Sequence, residues 1–238
     1  VSGRLDGTLA LVTGASRGIG AATAEALAAA GAHVLLTART EAGLVEVEGR
    51  IHAAGGSATI APLDLADGDG IDRLAQAVAG RWGKLDTLVL NAAMLGDLMP
   101  LPHIPPKQFD AIMALNVGAQ YRLIRAFDPL LRAAPQGRVV AVTSSVATSP
   151  RAYWGPYAAS KAALEALVDT YGEEVRNVSS VRTAVVDPGG TRTKMRAQAF
   201  PGEDPSTLKE PRVVAERIVQ LLLGDFETGE RVAIGKAA

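Results

Sequence analysis

The sequence predicts a single α/β domain: a doubly wound, mostly parallel sheet with helices on both faces. Three observations predict it. Short apolar runs alternate along the chain with longer stretches of helix formers, the β-α-β-α-β order that demands a parallel sheet with right-handed crossovers. The first apolar run ends in a glycine turn that opens directly into a helix. The 238 residues are 48% hydrophobic and 21% charged, with no linker, low-complexity tract or long charge run, so one domain over 1–238 is expected.

The elements follow in order. Leu9 to Val12 is the first strand, Thr13 to Gly20 the glycine turn, and Ala21 to Ala30 a helix stopped by Gly31. His33 to Arg39 reads as a second strand, Glu41 to Ala54 as a helix ended at Gly55-Gly56, and Ser57 to Leu65 as a third strand. Ile71 to Trp82 is the next helix, and Asp86 to Leu90 a fourth strand running into Asn91-Ala92-Ala93. Met94 to Pro106, rich in proline, is a loop. Lys107 to Ala133 carries a long helix or a kinked pair, with Asn116 inside it and Pro129 near its end. Gly137 to Thr143 is a fifth strand with Ser144-Ser145 at its end. Pro156 suits the first turn of a helix that continues to about Val175. Val181 to Val186 is a sixth strand ending in Asp187-Pro188-Gly189-Gly190-Thr191-Arg192-Thr193. A polar loop with Pro201 and Pro205 follows, then a helix from about Val213 to Leu223 and a seventh strand at Arg231 to Ile234.

Composition narrows the function. A formal net charge of −1 gives no basic field, so neither nucleic acid nor an anionic membrane is an expected partner. Cysteine is absent and His33, His52 and His103 are scattered, so no metal site is expected. The opening residues Val1 to Asp6 hold no apolar signal core, and no run approaches the ~18 apolar residues of a membrane span, which makes the cytoplasm the expected compartment.

Chemistry concentrates in Tyr157-Ala158-Ala159-Ser160-Lys161. On a helix, residues four apart share a face. A cation held beside a phenol favours the phenolate, so Lys161 is expected to pull the Tyr157 pKa down and make it a proton-exchanging group near neutrality. Strand ends are where open α/β sheets bind ligands, and polar or glycine residues stand at every one of them.

Together these pieces resemble the short-chain dehydrogenase/reductase family over nearly the whole chain. The residues that carry the resemblance are Thr13-Gly14-x-x-x-Gly18-x-Gly20, Asp64, Asn91-Ala92-Ala93, Asn116, a strand-end serine, Tyr157-x-x-x-Lys161 and Pro188-Gly189-x-x-x-Thr193. The resemblance implies a Rossmann-type seven-stranded sheet, a nicotinamide dinucleotide, and hydride transfer to or from a carbonyl or alcohol carbon. It implies that Tyr157 exchanges the proton, that Lys161 also holds the nicotinamide ribose, and that Asn116 anchors a water of the proton relay. It selects Ser144, thirteen residues before the tyrosine, over Ser145 as the group orienting the substrate oxygen. Cofactor contacts are expected from Gly14, Ser16, Arg17, Gly18, Ile19 and Gly20, from Arg39, Asp64 and Leu65, from Asn91, Ala92 and Ala93, and from Pro188, Gly189, Thr191 and Thr193. Two positions depart from the common pattern: Ala93 stands where many members have glycine, and Thr191 where a branched apolar residue is usual.

Cofactor choice is legible at the end of the second strand. A ribose 2′-hydroxyl is read by an acid there, a 2′-phosphate by an arginine. This chain offers Thr37-Ala38-Arg39, with Arg17 in the glycine turn and no carboxylate before Glu41, so NADP(H) is expected over NAD(H) and reduction is the expected direction. The substrate pocket is expected from Met94 to Pro106, Pro150 to Trp154 and Lys194 to Pro205, with Tyr153, Trp154, Met195 and Phe200 as candidate walls. Two other classes share this fold: a dinucleotide-binding regulator without turnover, and a lyase or epimerase. A homodimer or homotetramer is also expected, its interface drawn from Leu123, Ile124, Phe127, Leu164, Leu167 and Tyr171.

Overall fold

A computed structural model describes residues 5–235; Val1 to Arg4, and with them the reading of the chain's start, lie outside the described residues, as do Lys236 to Ala238. Seven strands form one sheet in the order β3-β2-β1-β4-β5-β6-β7, with β1 Leu9–Thr13, β2 His33–Thr37, β3 Ser57–Ile60, β4 Thr87–Leu90, β5 Arg138–Val142, β6 Arg182–Asp187 and β7 Glu230–Ala233. Every neighbouring pair is parallel. Because both sheet faces are covered, the strands are apolar on both sides. Leu9 and Leu11 of β1 point into one core and Ala10 and Val12 into the other, as the two-residue period of a strand requires.

Helices α3 Gly68–Trp82, α5 Ala119–Ala133 and α6 Gly155–Val175 fill the first core with Ile71, Leu123, Phe127, Leu164 and Val168. Helices α1 Gly18–Ala29, α2 Glu41–Ala53 and α8 Pro211–Leu223 fill the second with Leu27, Leu44, Val47, Val214 and Ile218. Local chemistry sets the ends. Asp67 caps α3 by accepting from Gly70 N at 3.0 Å, and Gly83 closes it in the left-handed region at φ 70°.

Three expectations are corrected and one is made specific. The third strand stops at Ile60 rather than Leu65, because Pro62 has no N–H for the ladder; only isolated bonds such as Leu63 N to Ala38 O (3.0 Å) continue the pairing. Of the two readings for Lys107 to Ala133, the pair is found: α4 Pro106–Met113 is joined to α5 through one π turn at Ala114–Gly118, which holds Asn116. The stretch after Thr193 is not all loop, since α7 spans Lys194–Ala199 with Thr193 Oγ1 accepting from Arg196 N at 3.1 Å. Finally, the residues assigned to an interface between copies are spent within the chain: Leu123, Ile124, Phe127, Leu164 and Tyr171 are all buried in the first core, and only Leu167 is partly exposed. One helix face contacting the sheet and its two neighbours uses more apolar positions than the sheet alone.

Candidate active site

The strand order reverses between β1 and β4, and the carboxyl ends of strands on either side of that point open into a cleft of about 1040 Å³. Thr13 and Asn91 hold its floor. Thr13 Oγ1 accepts from Asn91 N (2.9 Å) and Ala92 N (3.0 Å) and donates to Val89 O (3.1 Å), while Asn91 Nδ2 donates to Thr13 O at 2.8 Å. These bonds lock the ends of β1 and β4 at the point where the two halves of the sheet diverge. Fully buried Gln120 adds a second brace, donating from Nε2 to Ala92 O (3.1 Å) and to Leu115 O in the π turn (3.0 Å). Gln120 was not singled out from the sequence. Its signal was a polar residue on the apolar stripe of Leu123, Ile124 and Phe127.

The glycine turn is shaped for close approach. Gly14 and Gly18 lie at φ 66° and 57°, a region that other residues occupy at a cost. A Cβ on Gly20 would overlap Gly14 O and stand 2.5 Å from Asn91 Nδ2, so Gly20 brings α1 against the turn instead of lining the cleft. Helix α1 has neither a side-chain cap nor an acid in its first turn, which leaves its positive end open to an anion. Arg17 and Arg39 line the cleft at this end, exposed, and neither side chain makes an ion pair or hydrogen bond among the described residues. Ser16, Ile19, Asp64, Leu65, Asn91, Ala92 and Ala93 complete this part of the lining. Asp64 Oδ1 accepts from Ala66 N at 3.0 Å and closes the turn beneath it. Ala93 is accommodated because its backbone does not enter the positive-φ region. The residues present fit a dinucleotide phosphate.

At the other end Ser144, Tyr157 and Lys161 line the same cleft. Lys161 is 2% exposed; its Nζ donates to Val142 O at 2.7 Å and lies 5.8 Å from the centre of the Tyr157 ring. Burial lowers the Lys161 pKa to about 8, opposed by the carboxylate of Glu165. The expectation that Lys161 draws the Tyr157 pKa down is not met: burial, and then the charge of Asp187, push the phenol well above its usual value. A desolvated phenol beside a carboxylate stays protonated, which suits a proton donor.

Asn116 acts as a brace within the π turn. It is fully buried in the π turn and does not line the cleft; Nδ2 donates to Met94 O (2.9 Å) and Ser160 Oγ (3.0 Å), and Oδ1 accepts from Met94 N (2.9 Å). Both side-chain donors are used, so the side chain braces the loop after β4 against α6.

The loop after β6 forms the far wall. Gly189 takes φ 58°, and a Cβ there would meet Ile234 O at 2.7 Å. Thr191 is buried with its hydroxyl donating to Pro188 O at 3.0 Å, so the departure from an apolar residue leaves no polar group unpaired. Thr191 also bridges Lys209, whose Nζ donates to Ile234 O and Gly235 O, both at 2.9 Å. The base of the 191–209 excursion is thereby tied to the end of the chain. Above it Trp154 packs on Tyr157 (5.9 Å) and Phe200 (5.7 Å), and Arg196 lies over Phe200 at 3.9 Å while pairing with Glu203. Trp154, Met195, Leu95 and Val146 line the cleft; Phe200 stands behind Trp154, and Tyr153 turns outward, 58% exposed at φ 76°.

The comparisons with known proteins agree with this geometry. The family model for short chain dehydrogenases matches residues 8–204. The Escherichia coli K12 oxidoreductase YciK is 39% identical over 210 residues, 87% of this chain and 82% of that protein. A Shigella flexneri short chain dehydrogenase solved with NADP is 36% identical at TM-score 0.92, covering 98% of this chain and 99% of that one. One from Escherichia coli CFT073 solved with NADPH is 37% identical at TM-score 0.92, covering 98% of each. With the glycine turn, the serine, tyrosine and lysine gathered on one cleft of an all-parallel seven-stranded sheet, the chain belongs to the short-chain dehydrogenase/reductase family of oxidoreductases.

Proposed function

We propose that this oxidoreductase uses NADP(H) and acts as a ketone or aldehyde reductase, with a small-molecule carbonyl or alcohol as substrate. The observation that carries the reading is that Ser144, Tyr157 and Lys161 line one continuous cleft with two arginines at its far end that have no partner among the described residues. Arg17 and Arg39 would hold the 2′-phosphate, the first turn of α1 the pyrophosphate, and Thr193 with Pro188 and Gly189 the nicotinamide end. When bound, the cofactor supplies or takes up the hydride.

The remaining steps belong to the chain. Ser144 orients the substrate oxygen, Tyr157 Oη gives that oxygen its proton in the reductive direction and removes it in the oxidative one, and Lys161 holds the ribose hydroxyls and offsets the negative charge left on the phenolate. Trp154, Met195, Leu95 and Val146 exclude water from the reacting carbon.

NADP-bound relatives support the cofactor assignment, and the free guanidiniums supply its physical reason. The test is a screen of NADPH oxidation against ketones, aldehydes, quinones and acyl ketones, with dissociation constants of NADPH and NADH measured alongside. Equal affinity for the two cofactors would reject the NADP reading; tight NADPH binding with no turnover across the panel would favour the dinucleotide-binding regulator.

A further inference from the structure

Below the proposed proton donor, one carboxylate is held more completely than its surface neighbours. Glu165 stands one turn after Lys161 on α6 and is 7% exposed. Its Oε1 accepts from Thr143 Oγ1 at 2.5 Å, and its Oε2 accepts from Arg231 Nη1 of β7 at 2.6 Å. Thr143 immediately precedes Ser144 and follows Val142, the residue whose carbonyl accepts from Lys161. The carboxylate therefore bonds the strand end that offers both of those groups to the helix that offers Tyr157 and Lys161.

Acids on a helix facing a buried sheet edge are costly unless they are paired. Arg231 supplies the pairing from the edge strand while remaining half exposed, and its other nitrogen bonds Asp169, one further turn along α6. Those bonds alone would describe a structural ion pair. What sets Glu165 apart is that the nearest buried cation on its own helix is Lys161, whose ammonium donates to the neutral carbonyl of Val142.

We propose that Glu165 is a positioning residue of this site: one helical turn after Lys161, its carboxylate bonds the strand end that carries Ser144 to α6 and sets a negative charge on the Lys161 side of the helix. The idea rests on the function proposed above. Among the groups on the elements packed here, Glu165 on α6 acts on Lys161 directly, Asp187 at the end of β6 acts on Tyr157, and Arg231 on β7 pairs with Glu165 and with Asp169; Tyr157 is a protonated phenol, and Val142 on β5 and Asn116 with Ser160 behind the helix are neutral. Of these, Glu165 is the one whose charge opposes the effect of burial on Lys161. Removing that charge lets burial act unopposed and moves Lys161 to the neutral form at lower pH. Removing Arg231 leaves the carboxylate uncompensated and acts in the opposite sense.

The decisive measurement needs neither substrate nor cofactor. The chain has six lysines, and the Lys161 resonance of protein labelled at lysine Cε can be identified by its loss in Lys161→Met and followed against pH. In Glu165→Gln, which keeps an oxygen acceptor for Thr143, the Lys161 midpoint should fall by about one unit or more from its value near 8. In Arg231→Gln it should rise, and in Thr143→Val it should stay nearly in place. If NADPH is bound, the pH at which affinity is lost should move down with the Glu165→Gln midpoint. An unmoved midpoint in a folded Glu165→Gln protein overturns the proposal, and so does a fall of equal size in Thr143→Val, which would make packing the cause. Absence of NADPH binding in the wild type would instead reject the function above and leave the titration result standing.

Discussion

Tyr157 is 7% exposed, its phenol held protonated by burial, so replacing it should remove a proton donor without opening the nucleotide site. Tyr157→Phe is expected to lower turnover by ~10²–10⁴-fold with the NADPH dissociation constant little changed. Arg39→Ala is expected to weaken NADPH binding by roughly ten- to a hundredfold, the loss of a charge-assisted contact worth ~1.5–3 kcal/mol, with NADH binding unaffected. Lys161 gives a stability prediction of unusual sign. An unfolded lysine keeps its proton to about pH 10.5, whereas Lys161 in the fold releases its own near 8, so between those values the unfolded state binds more protons and the fold gains stability as pH rises. Below pH 8 the buried charge is a cost, and Lys161→Met should raise the melting temperature at pH 7 while weakening cofactor binding. The positions of Tyr157, Lys161, Ser144 and Arg39 on one cleft were legible because side chains at strand ends and on one helix face have their direction set by local geometry. Their electrostatics were not, because a four-residue spacing says nothing of desolvation, and the same limit hid Glu165 and Lys209, whose partners lie far along the chain.

Among the elements, strands and helices were readable wherever apolar periodicity was long, as in α5 and α6, and failed where one bond decides. Pro62 truncates β3, and the π turn at Asn116 depends on a loop more than twenty residues upstream. The contact of α1 with the glycine turn is tight enough to test directly. Gly20→Ala places a methyl against Gly14 O and Asn91, and should lower stability by about 1–3 kcal/mol in chemical denaturation and weaken the nucleotide site together. The 191–209 excursion depends on Lys209, so Lys209→Met should increase amide exchange across that stretch and at the end of β7 while leaving β1 and β4 protected.

At the scale of the molecule, self-association as a homodimer or homotetramer rests on the family resemblance alone, now that five of the six residues assigned to it are buried within the chain. Light scattering at micromolar concentration should give at least twice the chain mass, and a monomer would end that expectation. No helix among the described residues is long and apolar enough to cross a membrane. The position of β1 between β2 and β4 has a consequence for how the protein is made. In chain order β1, β2 and β3 precede β4, so as the chain emerges they form a three-stranded half sheet, and the inner edge of β1 stays uncovered until β4 has followed. A fragment of residues 1–67 should therefore aggregate more readily than one of 1–135, in which β4 covers that edge, when the two are compared by light scattering at equal concentration.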